Sequence, residues 1–266
     1  MNNRIKSSVF RFISINMWGV LPASTQRAIS RTYANVYNKK FSKFIIPTYC
    51  KMHYPDKKYL DLFKPASGAN SYQSFQDFFT REYKELPQPT TKYIWPCEGL
   101  FCDYGKVGEL EKIKVKGQPK HLKDVFGEAS SSIPDDYYYS NIFLHNNNYH
   151  RIHTPIDGEI TRIEHIPGEL VLLRPWAYKQ PSLPALRNER VNVDVKDDQG
   201  RTWYLSIVGG PAVASIVMAA GIKVGSLVNI GQEIGTFLLG STFCVASPEP
   251  VQNNKLGDQV YLGDPY

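Results

Sequence analysis

The sequence predicts an α+β fold, an N-terminal helical region on a mainly β, barrel- or sandwich-like core, and three observations carry that prediction. SYQSFQDFFTREY (Ser71 to Tyr83) sets Phe75, Phe78 and Phe79 at i, i+3 and i+4, the spacing of one helix face. Beyond Pro87 and Pro89 the texture changes to short apolar runs punctuated by Gly, Pro and Asp, the pattern of many short strands. Finally, WPCEGLF (Trp95 to Phe101) and TPIDGEI (Thr154 to Ile160) share one pattern: proline, any residue, acid, glycine, any residue, apolar. Each reads as a strand begun through a tight turn, Pro fixing φ and Gly admitting a positive φ.

These observations place a boundary near residue 90. Residues 1–90 are expected to be helical and residues 91–266 a β-rich core. At 266 residues with 42% apolar and 21% charged side chains, the chain is long enough for a sizeable core. The four cysteines, Cys50, Cys97, Cys102 and Cys244, form no CxxC pair and no zinc spacing, so free thiols in a reducing compartment are expected.

The net charge of +6 is unevenly placed. Nine bases, Arg4, Lys6, Arg11, Arg27, Arg31, Lys39, Lys40, Lys43 and Lys51, precede the first acid, Asp56. Interleaved with the first of them are Val9, Phe10, Phe12, Ile13, Ile15, Met17, Trp18, Val20 and Leu21. That composition suits a helix lying in an anionic lipid interface, and no run approaches the roughly 18 to 20 apolar residues that span a bilayer. A mitochondrial transit segment and a merely solvated helical face have the same composition. Nucleic acid is not expected, because no RNA- or DNA-binding motif follows.

Helical periodicity covers the first region, with Ser71 or Ser74 as N-cap of the Phe75 helix. The β texture starts at Tyr93. KVGSLVNIGQEIGTF (Lys223 to Phe237) has the glycine-punctuated rhythm of sandwich-like barrels. FLLGSTFCVASP (Phe237 to Pro248) then reads as one buried strand interrupted by Gly240, Ser241 and Thr242. Glycine weakens a strand interior, and two adjacent hydroxyls would need partners there.

His150 and His153 form an HxxH pair with Asp157 nearby, which invites a metal-hydrolase reading. No HExxH helix and no third ligand at a known spacing accompanies it, so no metal is expected. In a strand the two histidines would point to opposite faces, and a local irregularity is needed to bring both to one site.

Through most of its length the sequence resembles the pyruvoyl-dependent phosphatidylserine decarboxylases. The matching stretches are SYQSFQDFFTRE, WPCEG, KIKVKGQPKHLKDVFG (Lys112 to Gly127), NNYHRIHTPIDGEI (Asn147 to Ile160), LRNERV (Leu186 to Val191), IVGGPAVASIV (Ile207 to Val217) and GQEIGTFLLGST (Gly231 to Thr242). LGST alone is a weak signal; behind YHRIHTP and near the C-terminus it is a specific one.

The resemblance implies that the protein cuts its own Gly240–Ser241 bond. The Ser241 hydroxyl attacks the Gly240 carbonyl, the resulting ester undergoes β-elimination, and the new chain begins with a pyruvoyl group derived from Ser241. That group is the cofactor, an electron sink for converting phosphatidylserine to phosphatidylethanolamine and carbon dioxide. Large and small chains of one precursor stay together, with a homodimer left open, on the anionic surface of the cytoplasmic membrane or, alternatively, the mitochondrial inner membrane. An Asp-His-Ser arrangement activates the serine. Matched by motif, Ser241 is the nucleophile, His153 the base, and His150 acts at the substrate. The acid falls on Glu98, where the family pattern has aspartate; Asp157 is the alternative acid. Two other functions fit the same residues: decarboxylation of a free amino acid such as tryptophan, and a non-processing lipid-binding pseudoenzyme in which Glu98 has ended cleavage.

Overall fold

The computed structural model of the chain describes residues 3–210, 216–238 and 240–266; residues 211–215 of IVGGPAVASIV and Leu239 of FLLGST lie outside them. The N-terminal region is helical for most of its length: α1 (Asn3–Phe12) runs into a π-helical turn (Ile13–Trp18), followed by α2 (Ala23–Asn38), a 3-10 turn (Lys40–Ile45) and α3 (Ile46–His53). Proline in the first turn of α3 fits a position whose N–H needs no helical partner. The Phe75 helix, α4 (Phe75–Phe79), is shorter than its pattern, and Ser74 caps it by accepting from Asp77 N at 3.1 Å. What flanks α4 is not helix but a two-stranded ribbon, β1 (Phe63–Lys64) with β2 (Glu82–Tyr83).

The core is layered rather than closed. Its centre is an open antiparallel sheet of eight strands. In chain order these are β3 (Gly99–Lys106), β6 (Tyr138–Leu144), β8 (Gly158–Ile166), β9 (Arg190–Lys196), β10 (Thr202–Gly209), β12 (Leu227–Val228), β14 (Ser241–Ser247) and β15 (Gln259–Val260). They lie side by side as β12-β8-β9-β10-β14-β6-β3-β15. A three-stranded sheet, β11 (Ile216–Met218), β13 (Glu233–Phe237) and β7 (Arg151–His153), covers one face through Ile152, Ile234 and Phe237, which pack on Trp203, Ile207 and Phe243. The other face lies under Val125 and Phe126 of a 3-10 segment (Leu122–Ser132) and Ala185 of α5 (Leu183–Arg187), beside a small hairpin of β4 (Ile113–Val115) and β5 (Gln118–Lys120). Covered on both faces, β6, β9, β10 and β14 are buried almost end to end; β10 and β14 read accordingly as near-continuous apolar runs, whereas β9 alternates and hydrogen-bonds its buried Arg190, Asn192 and Asp194.

Both proline–acid–glycine repeats begin strands, β3 and β8, as expected. The reason for their glycines is different: neither has a positive φ. A Cβ on Gly99 would lie 2.6 Å from the Phe143 carbonyl oxygen, and one on Gly158 2.4 Å from that of Lys196, so it is close backbone approach that excludes a side chain.

FLLGSTFCVASP is not one interrupted strand. The chain leaves the three-stranded sheet after Phe237 and joins the eight-stranded sheet at Ser241. The glycine that looked like a defect is the crossing between two layers.

Candidate active site

At that crossing Gly240 has φ +24°, a conformation that side chains rarely tolerate. Gly210, just past the end of β10, faces it: a Cβ there would stand 2.3 Å from the Gly240 carbonyl oxygen and 3.0 Å from its carbon. Two glycines thus let two backbones meet at the carbonyl of residue 240. Ser241 follows as the first residue of β14, paired with Gly209 on one side and Leu144 on the other.

The two hydroxyls after Gly240 have opposite fates. Thr242 Oγ1 lies 2.8 Å from the Ile142 carbonyl and 3.0 Å from Asn141 Oδ1. Ser241 Oγ is fully buried and has no hydrogen-bond partner among the described residues. A buried hydroxyl left unpaired costs on the order of 1–3 kcal/mol, and such a group calls for a functional explanation.

His150 and His153 are both buried and both tautomers are fixed by carbonyls. A carbonyl only accepts, so His150 Nδ1–H donates to Asn148 O at 2.8 Å and His153 Nδ1–H to Gly231 O at 2.7 Å. Each Nε2 therefore carries the lone pair. On His153 it accepts from the Tyr149 hydroxyl at 3.0 Å; on His150 it has no partner among the described residues. Burial pushes the His150 pKa down to about 3 and that of His153 down to about 4, so both rings are neutral bases. His150 precedes β7, its ring against Phe79 at 4.0 Å between centroids, and its carbonyl accepts from Phe237 N at 2.9 Å. It thereby flanks the segment that leads to Gly240. His150 stands outside β7, just before its first residue, and β7 pairs with β13 through a register shift between Glu233 and Gly235.

Glu98 does not contact His153. Its carboxylate accepts from the Tyr59 hydroxyl at 2.7 and 2.8 Å and from Asn148 Nδ2 at 2.7 Å. Asn148 in turn offers its carbonyl to His150, so the acid is linked to His150 through one residue. Burial pushes the Glu98 pKa up, against the hydrogen bonds from Tyr59 and Asn148 and the charge of Arg81. Arg81 is itself fully buried, donating to the carbonyls of Asn147 (2.9 Å) and Asn148 (3.0 Å), with its guanidinium 4.6 Å from the Phe63 ring centre. Asp157 is exposed and holds a turn, accepting from Ile230 N at 2.7 Å.

The residues that sequence reasoning passed over are Tyr149, Asn148, Tyr59, Arg81 and Gly210. Tyr149 and Asn148 stand inside the quoted NNYHRIHTP stretch, and the glycine doublet before Pro211 was the only signal for Gly210. A cavity of about 320 Å³ opens at Gly240, walled by aromatic residues of the N-terminal helices and by Phe143, Asn146, Leu172, Leu173 and Arg174.

The model of the phosphatidylserine decarboxylase family matches residues 75–266, which include Arg81, Glu98, Asn148, Tyr149, His150, His153, Gly210, Gly240 and Ser241 but neither Tyr59 nor the aromatic cavity wall from the N-terminal helices. The chain is 32% identical to a phosphatidylserine decarboxylase proenzyme of Verminephrobacter eiseniae over 69% of its own length and 72% of the relative's. It is 30% identical to one of Methylobacillus flagellatus over 68% and 72%. A Legionella pneumophila proenzyme aligns at 24% identity over 92% of this chain and 94% of that one, so the similarity extends into the N-terminal helices.

Proposed function

Because this chain belongs to the phosphatidylserine decarboxylase family, and is therefore a carboxy-lyase, we propose that it is made as a precursor that cuts itself between Gly240 and Ser241. The product then converts phosphatidylserine to phosphatidylethanolamine and carbon dioxide. The observation that carries this reading is the buried, unpaired Ser241 hydroxyl beside a left-handed Gly240.

In the cut, Ser241 Oγ bonds to the Gly240 carbonyl carbon while its proton passes to a neutral imidazole, and the Gly240–Ser241 C–N bond breaks as the nitrogen is protonated. Loss of the Ser241 α-proton then expels Gly240 as a carboxylate and leaves dehydroalanine. Tautomerisation and addition of water release ammonia and leave a pyruvoyl group at position 241. Burial protects the ester from simple hydrolysis. Ser241 fits this fate because its hydroxyl has no hydrogen bond to lose among the described residues. The pyruvoyl group supplies an electron sink for the carbanion left when carbon dioxide departs.

We assign the base in processing to His153 and the substrate-side role to His150. His153 Nε2 already accepts from a hydroxyl, that of Tyr149, and exchanging that hydroxyl for Ser241 gives the nucleophile–base pair. The free, neutral Nε2 of His150 is suited to receiving or returning a proton at the substrate. Glu98 acts from the His150 side through Asn148, whose carbonyl also accepts from Arg81.

Residues 1–90 form the membrane-associating region and 91–266 the catalytic core. No helix among the described residues is long and apolar enough to cross a membrane. Ile5, Val9, Phe12, Ile13, Met17 and Val20 are exposed beside the N-terminal bases, which supports peripheral association with an anionic surface.

The deciding experiment is the intact mass of the purified protein. Two chains are expected, residues 1–240 and a pyruvoyl-capped chain from position 241 that resists Edman sequencing, and a single inactive chain for Ser241→Ala. Normal cleavage of Ser241→Ala would end this reading; an uncut wild type that binds phosphatidylserine would make the protein a lipid-binding pseudoenzyme.

A further inference from the structure

The cavity at Gly240 contains a single charged side chain among its described lining residues, Arg174. Elsewhere in the core, arginines have obvious partners. Arg151, Arg162, Arg187 and Arg201 meet carboxylates, while Arg81 and Arg190 are held by backbone carbonyls. Arg174 has neither arrangement. Nη1 donates to the carbonyl of its own neighbour, Leu173, at 3.1 Å, and the guanidinium lies 5.5 Å from the centre of the Phe10 ring. No carboxylate lies within ion-pair distance among the described residues, and burial pushes its pKa down. A partly desolvated guanidinium with an open donor fork is the side chain best shaped to receive an anion bidentately. A second unsatisfied donor stands near: the Tyr49 hydroxyl is buried with no hydrogen-bond partner among the described residues, and Tyr49 feels the Arg174 charge.

We propose that Arg174 binds the phosphodiester of the lipid headgroup and so fixes the serine moiety beside position 241. The inference rests on the decarboxylase reading above and deepens it. The substrate offers two anions, and the reaction chooses between them. A guanidinium clamped on the carboxylate would stabilise the ground state and release its hold as carbon dioxide forms, which raises the barrier. The phosphodiester keeps its charge from start to finish, so binding there persists through the transition state. At about 320 Å³ the cavity is near the lower end of the roughly 300–1,000 Å³ of small-molecule sites, enough for a headgroup but not for two acyl chains. Its aromatic wall comes from Phe10, Trp18, Tyr33 and Tyr37, on the helices whose outer side carries the exposed apolar residues, which gives the chains a path outward. A free amino acid, lacking the phosphodiester, leaves Arg174 unpaired and is disfavoured.

The test compares the wild type with Arg174→Met and Arg174→Lys in neutral detergent micelles, where membrane charge plays no part. All three are expected to be cut. For Arg174→Met, KM for phosphatidylserine should rise about tenfold or more with a smaller change in kcat, the loss expected for a charge-assisted hydrogen-bonded pair. Inhibition by phosphatidylethanolamine, which keeps the phosphodiester but lacks the carboxylate, should weaken in parallel, and Arg174→Lys should show about a threefold effect on both. A raised KM with unchanged product inhibition assigns Arg174 to the carboxylate and overturns the proposal. So does an unchanged KM in Arg174→Met or, should that variant not fold, in Arg174→Lys. A wild type without decarboxylase activity is a failure of the functional reading instead, and is recognised before any variant is made.

Discussion

The β core and the N-terminal helical layer bury opposite kinds of side chain. In the core the hidden residues are Trp203, Ile207, Phe237 and Phe243, as the hydrophobic effect requires. In α1, α2 and the turns after them the hidden residues are Ser14, Gln26, Ser30 and Ser42, while Phe12 and Met17 are each 60% exposed. The layer is fastened by hydrogen bonds: Ser14 Oγ to the Tyr178 hydroxyl at 2.7 Å, Gln26 Oε1 accepting from Leu170 N at 2.8 Å, and Ser42 Oγ accepting from Phe75 N at 2.8 Å. Helices that leave apolar side chains exposed in this way are suited to an apolar surrounding. The comparison therefore separates a part of the molecule folded around an apolar core from a part that leaves apolar side chains exposed, as the proposed membrane contact would require.

The largest effects are expected in the core. His153→Ala should accumulate uncut precursor, and His150→Ala should be cut but decarboxylate at least about 10²-fold more slowly, read by gel and by release of carbon dioxide. The reverse pattern assigns the base to His150, whose Nε2 is the free one. Tyr149→Phe, which removes the hydroxyl now on His153, should cut at least as fast as the wild type; slower cutting means that Tyr149 takes part in proton transfer.

Next is Glu98. Glu98→Gln disturbs the buried hydrogen bonds from Tyr59 and Asn148 and removes a negative charge that Arg81 feels; a lowered unfolding midpoint together with an uncut chain is expected. Glu98→Asp should still cut. Wild-type processing in Glu98→Gln removes this acid from the mechanism.

A graded effect is expected with pH. His150 and His153 bind protons near pH 6.5 when unfolded but only near 3 and 4 when folded. Their contribution to stability is complete above about pH 6.5 and is lost as pH falls toward 4, where the unfolded chain takes up the protons. Glu98, raised by burial, acts in the opposite sense above its ordinary value and moderates the slope. Thermal stability should thus fall between pH 7 and 5, and less steeply in His150→Phe; an equal slope in that variant places the acid sensitivity elsewhere.

The smallest effects per residue belong to the helical layer. Vesicle binding should strengthen with anionic lipid and weaken with salt, by about 1 kcal/mol per base near the surface. Met17→Ser should reduce it while leaving the unfolding midpoint in place. Equal binding to neutral vesicles at low and high salt excludes the electrostatic part, and a lowered midpoint in Met17→Ser means that the layer packs on protein.

The sequence made the architecture readable where local chemistry decides it: the strand starts at Gly99 and Gly158, the cap at Ser74, the basic apolar N-terminus. It did not disclose that Phe237 and Ser241 belong to different sheets, because both flanks of Gly240 are apolar and buried and a change of layer leaves no mark in periodicity. The site was legible as a set of residue types in order. Its wiring was not, since the contacts of Glu98 with Tyr59 and Asn148 span 39 and 50 positions along the chain. The motif match set Glu98 beside His153 as its acid, whereas the carboxylate accepts from Tyr59 and Asn148.

The place of β14 between β10 and β6 has a consequence for the life of the protein. If the chain is cut as proposed, the piece beginning at residue 241 holds an inner strand of the main sheet and ends in Tyr266, packed on Trp95 and Trp203. Two polypeptides then share one core that only a continuous chain assembled. Renaturation becomes a bimolecular reaction, dependent on concentration, and lost material is not restored by simple dilution from denaturant. The persistence of the mature protein is set by how slowly that central strand escapes, so a half-life describes it better than an equilibrium constant.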